Sequence, residues 1–105
     1  MVDQNSLKLV VAPAAQSDIA SIFNYTLANW GEKQAKNYLL IIKKALQTLR
    51  EQPLKGKVRP ELNPNIRSII VEKHIVYYRQ QEKVLEIVRI LHGRQDPDVR
   101  VSENL

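Results

Sequence analysis

A chain of 105 residues has the size of one domain, and its 44% hydrophobic and 26% charged residues exclude the apolar-poor composition of a disordered segment. With no cysteine, it has no disulfide framework, thiol nucleophile or thiolate metal site. A formal net charge of +5 biases it towards acidic partners, but does not choose between nucleic acid, an acidic protein segment and a merely soluble basic surface.

No run approaches the roughly 20 apolar residues that cross a bilayer. Met1 to Ser6 lack the basic start and apolar core of a signal peptide. A cytoplasmic protein without membrane association is therefore expected.

Leu7 to Val11 is β-branched enough for a first strand, and Pro13 then stands where a helix accepts proline, in its first turn. Ala15, Ile19, Ile22, Phe23, Thr26, Leu27 and Trp30 recur at three- and four-residue steps, which gathers them on one face of a helix that Gly31 ends. From Glu32 a second helix follows. Its stripe is Ala35, Tyr38, Leu39, Ile42, Ala45, Leu46 and Leu49, with Lys36, Lys43, Lys44 and Arg50 mostly elsewhere. So tight a break predicts an antiparallel helical hairpin.

Pro53, Gly56, Pro60 and Pro64 mark 52–65 as a long irregular loop. Residues 66–71, 74–80 and 84–91 are rich in Ile, Val and Tyr, and are separated by short polar turns at Glu72-Lys73 and Gln81-Glu82-Lys83. The expected fold class is α+β: an N-terminal strand, the helical hairpin and a three-stranded antiparallel meander, with the helices on one face of the sheet. Residues 1–105 form one domain, with residues 1–6 and 97–105 expected to be flexible ends.

Chemistry-bearing residues are few. His74 and His92, without cysteine or clustered carboxylates, make no familiar zinc site, and Lys55-Gly56-Lys57 lacks the spacing of a phosphate loop, so no metal and no cofactor are expected. Asn24-Tyr25-Thr26 matches a glycosylation acceptor only by coincidence, because it falls inside a helix. Tyr25 and Leu40 leave the stripes of their helices, which suits either solitary exposed residues or contacts with a partner chain.

Strand alternation groups Arg67 with Ile69 and Val71, Arg79 with Ile75 and Tyr77, and Arg89 with Ile87 and Leu91. Each arginine is either ion-paired at the edge of the core or available to a ligand. His92 follows the last strand, and Gly93 lets the chain turn so that Arg94 can lie near it. This is either a structural histidine or a proton-transfer group beside a phosphate-binding arginine.

In this order the residues resemble the ParE-like toxins of the RelE/ParE superfamily from bacterial toxin–antitoxin modules. The resemblance rests on Ala15 and Asp18-Ile19, Trp30-Gly31, Ala35 and Tyr38, Pro53 to Gly56, Arg67-Ser68, His74 to Tyr78, and Arg89 to Asp96. It implies a toxin neutralised by a ParD-like antitoxin whose carboxyl-terminal part wraps it, with Tyr25 and Leu40 as antitoxin contacts. It also implies DNA gyrase as the target, met through Arg67, Arg89, His92 and Arg94 without catalysis, and operator DNA reached only through the antitoxin complex.

Ribosome-dependent endoribonucleases of the RelE branch are the alternative, with Arg79, His92 and Arg94 as their catalytic group here. That branch places an arginine early in the middle meander strand, another just after the last strand, and often a tyrosine in the tail. Here those positions hold Ile75, Arg94 and no tyrosine. A third alternative is a relic that only binds its antitoxin.

Overall fold

The computed structural model describes residues 7–102 and 105. The elements in order are β1 (Lys8–Val11), α1 (Pro13–Trp30), α2 (Glu32–Glu51), β2 (Lys57–Val58), β3 (Ile66–Val71), β4 (His74–Gln81), β5 (Val84–His92) and α3 (Pro97–Ser102). The strands form one sheet in the order β1-β5-β4-β3-β2, in which β1 runs parallel to β5 and the other neighbours are antiparallel. The flexible ends expected at residues 1–6 and at 103–104 lie outside the described residues.

Gly31 joins the two helices alone. Its φ of 91° and ψ of 172° lie in a region essentially reserved for glycine. Its N–H donates to the Leu27 carbonyl at 3.0 Å, and its own carbonyl accepts from Ala35 at 3.1 Å, so one residue closes α1 and opens α2. The buried Ala15 and Ala35 keep the packed surfaces of α1 and α2 small.

Ile42, Leu46 and Leu49 of α2, with Ile19 and Ile22 of α1, pack on Val71, Val76, Tyr78, Leu85, Ile87 and Ile90 of the sheet. Each such side chain, fully buried, contributes on the order of 1.5–3 kcal/mol. The stripe does not run to the end of α1 as its periodicity predicts. Thr26 is buried, but Leu27 and Trp30 are 40% and 69% exposed, because the apolar core takes no α1 side chain beyond Ile22.

The meander follows the expected boundaries to within a residue, and Glu72 and Glu82 adopt left-handed backbone at its two turns, with φ of 55° and 54°. The loop expected to be irregular contains β2, paired with β3 through Lys57 to Ser68 and Val58 to Arg67. Tyr78 anchors this loop. Its hydroxyl accepts from the Gly56 N–H and donates to the Pro53 carbonyl, each at 2.8 Å. A side chain at Gly56 would collide with that hydroxyl, so glycine is needed here for close approach.

The tail departs from expectation. Residues Pro97–Ser102 form α3, with proline in the first turn and the Asp96 carboxylate accepting the Asp98 N–H at 2.9 Å as an N-terminal cap. The helix exists because the second face of the sheet needs a cover. Val101, fully buried, closes a smaller core of Ile66, Tyr77, Val88 and Leu91.

One irregularity organises the end of β5. Tyr78 faces Ile87 but Tyr77 faces Arg89, so Val88 is an extra residue in a β-bulge. β1 pairs with β5 only as far as Ile87, which leaves the outer edge of β5 open beyond it. Asp18 of α1 fills that edge. Its carboxylate accepts from Arg89 Nε at 2.7 Å, Arg89 Nη2 at 2.8 Å and the Ile90 backbone N–H at 2.9 Å.

With side chains only 14% and 13% exposed, Asp18 and Arg89 form a largely desolvated, bidentate pair. Asp18→Ala removes both carboxylate bonds to a largely buried guanidinium and the acceptor of the Ile90 N–H, and is expected to lower stability by about 3–5 kcal/mol in chemical denaturation. Adding Arg89→Met should restore part of that loss. A cost below ~1 kcal/mol for Asp18→Ala, the scale of an exposed pair, would contradict this role.

Candidate functional site

The bulge sets what meets at the far end of the sheet. His74, at the start of β4, is the cross-strand partner of His92, at the end of β5. Their rings meet edge to face with centroids 5.5 Å apart. Tyr38 descends from α2 onto the β3–β4 turn, with its hydroxyl 2.6 Å from His74 Nδ1. The phenol oxygen accepts the Lys73 N–H at 3.4 Å and lies 3.5 Å from the Val71 carbonyl, so the phenol donates either to Nδ1 or, with Nδ1 protonated and donating to it, to Val71.

His92 is held from the other side. Its Nδ1 accepts the Arg94 N–H at 3.2 Å, its N–H donates to Gln95 Oε1 at 2.7 Å, and its carbonyl accepts from Gln95 N at 2.9 Å. Gly93 N donates to the Lys73 carbonyl at 3.1 Å, which ties the segment after β5 to the β3–β4 turn. Burial pushes the His74 pKa down from 6.5, and the neighbouring His92 adds to this while Asp18 opposes it. Burial pushes the Tyr38 phenol up, with the Lys73 amide opposing and the Glu72 charge adding.

Both histidines have Nδ1 engaged within the chain, His74 with the Tyr38 phenol and His92 with the Arg94 N–H, and a neutral His92 therefore presents Nε2–H. The arrangement is suited to hydrogen bonding with an acceptor on a partner. Among the described residues no group of three or more histidines and carboxylates is placed to hold a metal.

The candidate arginines are dispersed. Arg79 is opposite Glu86 and bonds it at 2.7 Å. It stands five residues along β4 from His74, roughly 17 Å at strand rise. The group Arg79, His92 and Arg94 is therefore not brought together. Arg67 shares the helix-side face with its partner Tyr78, whereas Arg79 shares the other face with Ile66.

Arg67 donates through Nη1 to the Gly56 carbonyl at 2.9 Å and borders an open groove of about 470 Å³ at the opposite end of the sheet, with Pro53, Leu54 and Val58. Arg89 is committed to Asp18. Of the expected target-facing residues only His92 and Arg94 lie together, and Arg94 is exposed. Tyr25 and Leu40 are 68% and 55% exposed on α1 and α2.

Sequence reasoning passed over Asp18, Tyr38 and His74 as members of these arrangements. Tyr38 was hidden in an apolar stripe. His74 comes opposite His92 only when the bulge is counted, because a regular hairpin around the Glu82-Lys83 turn would set it against Leu91.

A family model described as the ParE toxin of type II toxin-antitoxin system, parDE, matches residues 9–97. Toxin ParE1 of Mycobacterium tuberculosis is 32% identical over 94 residues, covering 89% of this chain and 96% of its own length. Toxin ParE of Escherichia coli is 30% identical over 98 residues, 91% of this chain and 94% of its own.

Among solved structures, a chain of the chromosomal ParDE TA system from P. aeruginosa superposes with a TM-score of 0.74 at 21% identity, covering 85% of this chain and 98% of that one. The YoeB dimer from Staphylococcus aureus gives 0.60 at 15% identity, covering 84% and 98%. These two show the shared fold. With the family model spanning most of the sequence and relatives matched over nearly their whole length, the chain belongs to the ParE toxin family of type II toxin–antitoxin systems.

Proposed function

We propose that the protein is a toxin that inhibits DNA gyrase by binding it, not by catalysis, and is neutralised in the cytoplasm by a ParD-like antitoxin. The observation that supports a non-catalytic reading is the dispersal of its charged groups. Arg79 is consumed by Glu86 far from the histidine pair, and both histidines have their Nδ1 atoms engaged. Cleaving RNA needs a base and a charge-stabilising group around one phosphate, and loss of either costs orders of magnitude in rate.

His92 and the exposed Arg94 form the surface offered to the target. Tyr25 and Leu40 on the helical hairpin are offered to an acidic, amphipathic antitoxin segment that folds as it binds. Operator DNA is bound through the toxin–antitoxin complex.

Purified protein is expected to block gyrase supercoiling while leaving translated messenger RNA intact, and Arg94→Ala to relieve toxicity. Codon-linked cleavage would overturn the proposal in favour of a ribonuclease, and the absence of any growth defect would favour a relic.

In isothermal titration with the product of the neighbouring gene, Leu40→Asp or Tyr25→Asp should weaken binding about tenfold or more, equal to 1.4 kcal/mol, whereas Arg94→Ala should not. Unchanged affinity in both helix variants would remove that surface from the interface.

A structural histidine pair registers in stability. Because the folded pKa of His74 lies below 6.5, the unfolded chain takes up the proton first. Stability from this group is full above about pH 6.5 and is lost as pH falls through the lower folded value. Denaturation midpoints should fall across that interval in the wild type and fall less in His74→Gln; identical pH profiles would exclude the linkage.

A further inference from the structure

The positive charge is concentrated on one helix. Residues 33–50 contain Lys33, Lys36, Lys43, Lys44 and Arg50 and no acid, which equals the net +5 of the whole chain, so the other residues balance to zero. An ordinary solvated helix face interleaves acids one turn from its lysines. This one has a single acid at each end, Glu32 and Glu51.

At 100° per residue, Lys33, Lys36, Lys43 and Lys44 fall within an arc of about 100°, over roughly 16 Å of helix. All four are exposed. Only Lys36 has an ion pair among the described residues, with Glu32 at 2.7 Å, and both side chains there are about two-thirds exposed, so the pair is weak and readily exchanged. Three arginines outside α2 are different: Arg59, Arg79 and Arg89 each have a carboxylate partner within the chain.

We propose that the outer face of α2 binds the phosphate backbone of duplex DNA, independently of sequence, when the toxin is free. Lysines are depleted from the cores of protein interfaces but serve as flexible point charges towards phosphates. Leu40 is the one exposed apolar residue on the arc, so beyond the single contact offered to the antitoxin this face presents charge and little apolar surface. Single-stranded nucleic acid would call for aromatic platforms interleaved with the charges; the exposed Tyr25 and Trp30 belong to α1, and the one aromatic residue of α2, Tyr38, is turned onto His74. A row of cations along a rigid helix fits the regular charge of a duplex.

The test is fluorescence anisotropy of the purified toxin with a labelled random-sequence duplex of about 20 base pairs across a salt series. Neutralising three to four phosphates gives an expected log–log salt slope of about −3. The variant Lys36→Gln/Lys43→Gln/Lys44→Gln should lose at least about tenfold in affinity at low salt and flatten the slope towards zero. The corresponding triple arginine variant should retain binding, which guards against a folding defect.

A control with the same net charge, Lys8→Gln/Lys57→Gln/Lys83→Gln, alters other exposed lysines and should bind nearly as wild type. Equal loss in the control would mean diffuse net charge and overturn the proposal. So would single-stranded DNA or polyglutamate binding as tightly as the duplex, or no duplex binding at low salt. Gyrase is absent from the assay, so failure of the target assignment leaves this result standing.

Discussion

Where β1 stops, at Ile87, the outer edge of β5 has no strand to complete it, and the Asp18 carboxylate stands in for one. It satisfies the Ile90 N–H and grips Arg89 with both oxygens, fixing α1 to the C-terminal half of β5. The rest of the far end follows. With β5 held past the bulge, His92 is aligned with His74, Tyr38 of α2 bonds His74, and Gly93 is tied back to Lys73. The Asp18 charge also opposes in part the downward pull of burial and of His92 on the His74 pKa.

Two kinds of positive charge are separated in this molecule. The arginines of the sheet do internal work: Arg67 bonds loop carbonyls, Arg79 bonds Glu86 and Arg89 bonds Asp18. The guanidinium fork suits such fixed, directional contacts. The lysines of α2 lie outside and keep their charge towards solvent. A high pI therefore reports on one helix, outside which acids and bases balance.

Much of the architecture was legible in the sequence because its signals are local. Runs rich in Ile, Val and Tyr, separated by Glu72-Lys73 and Gln81-Glu82-Lys83, placed three strands, and the tight break at Trp30-Gly31 between two runs of helical period placed the hairpin. What escaped depends on tertiary geometry. No local signal says that β1 runs parallel to β5, and a bulge at Val88 is invisible in a run of β-branched residues.

That bulge breaks the alternation, so Ile87 and Leu91, expected on one face with Arg89, belong to different cores. Likewise α3 is too short to show a period, and its existence rests on the cover that Val101 gives the second face. The site was partly legible: His92 and Arg94 lie together as expected, but Arg67 and Arg89 are held by partners distant in sequence.

The sheet order has a consequence in time. β1 has no strand to pair with until β5 exists, and the two are separated by most of the chain. At 5–20 residues per second, the roughly 70 residues between them take on the order of 4–15 s to synthesise. Through that interval the helical hairpin can form from local contacts, but its apolar stripe has no sheet to cover it. The finished surface, with the histidine end and the Asp18 closure, is assembled last, so a nascent chain exposes its hairpin well before it can act on anything.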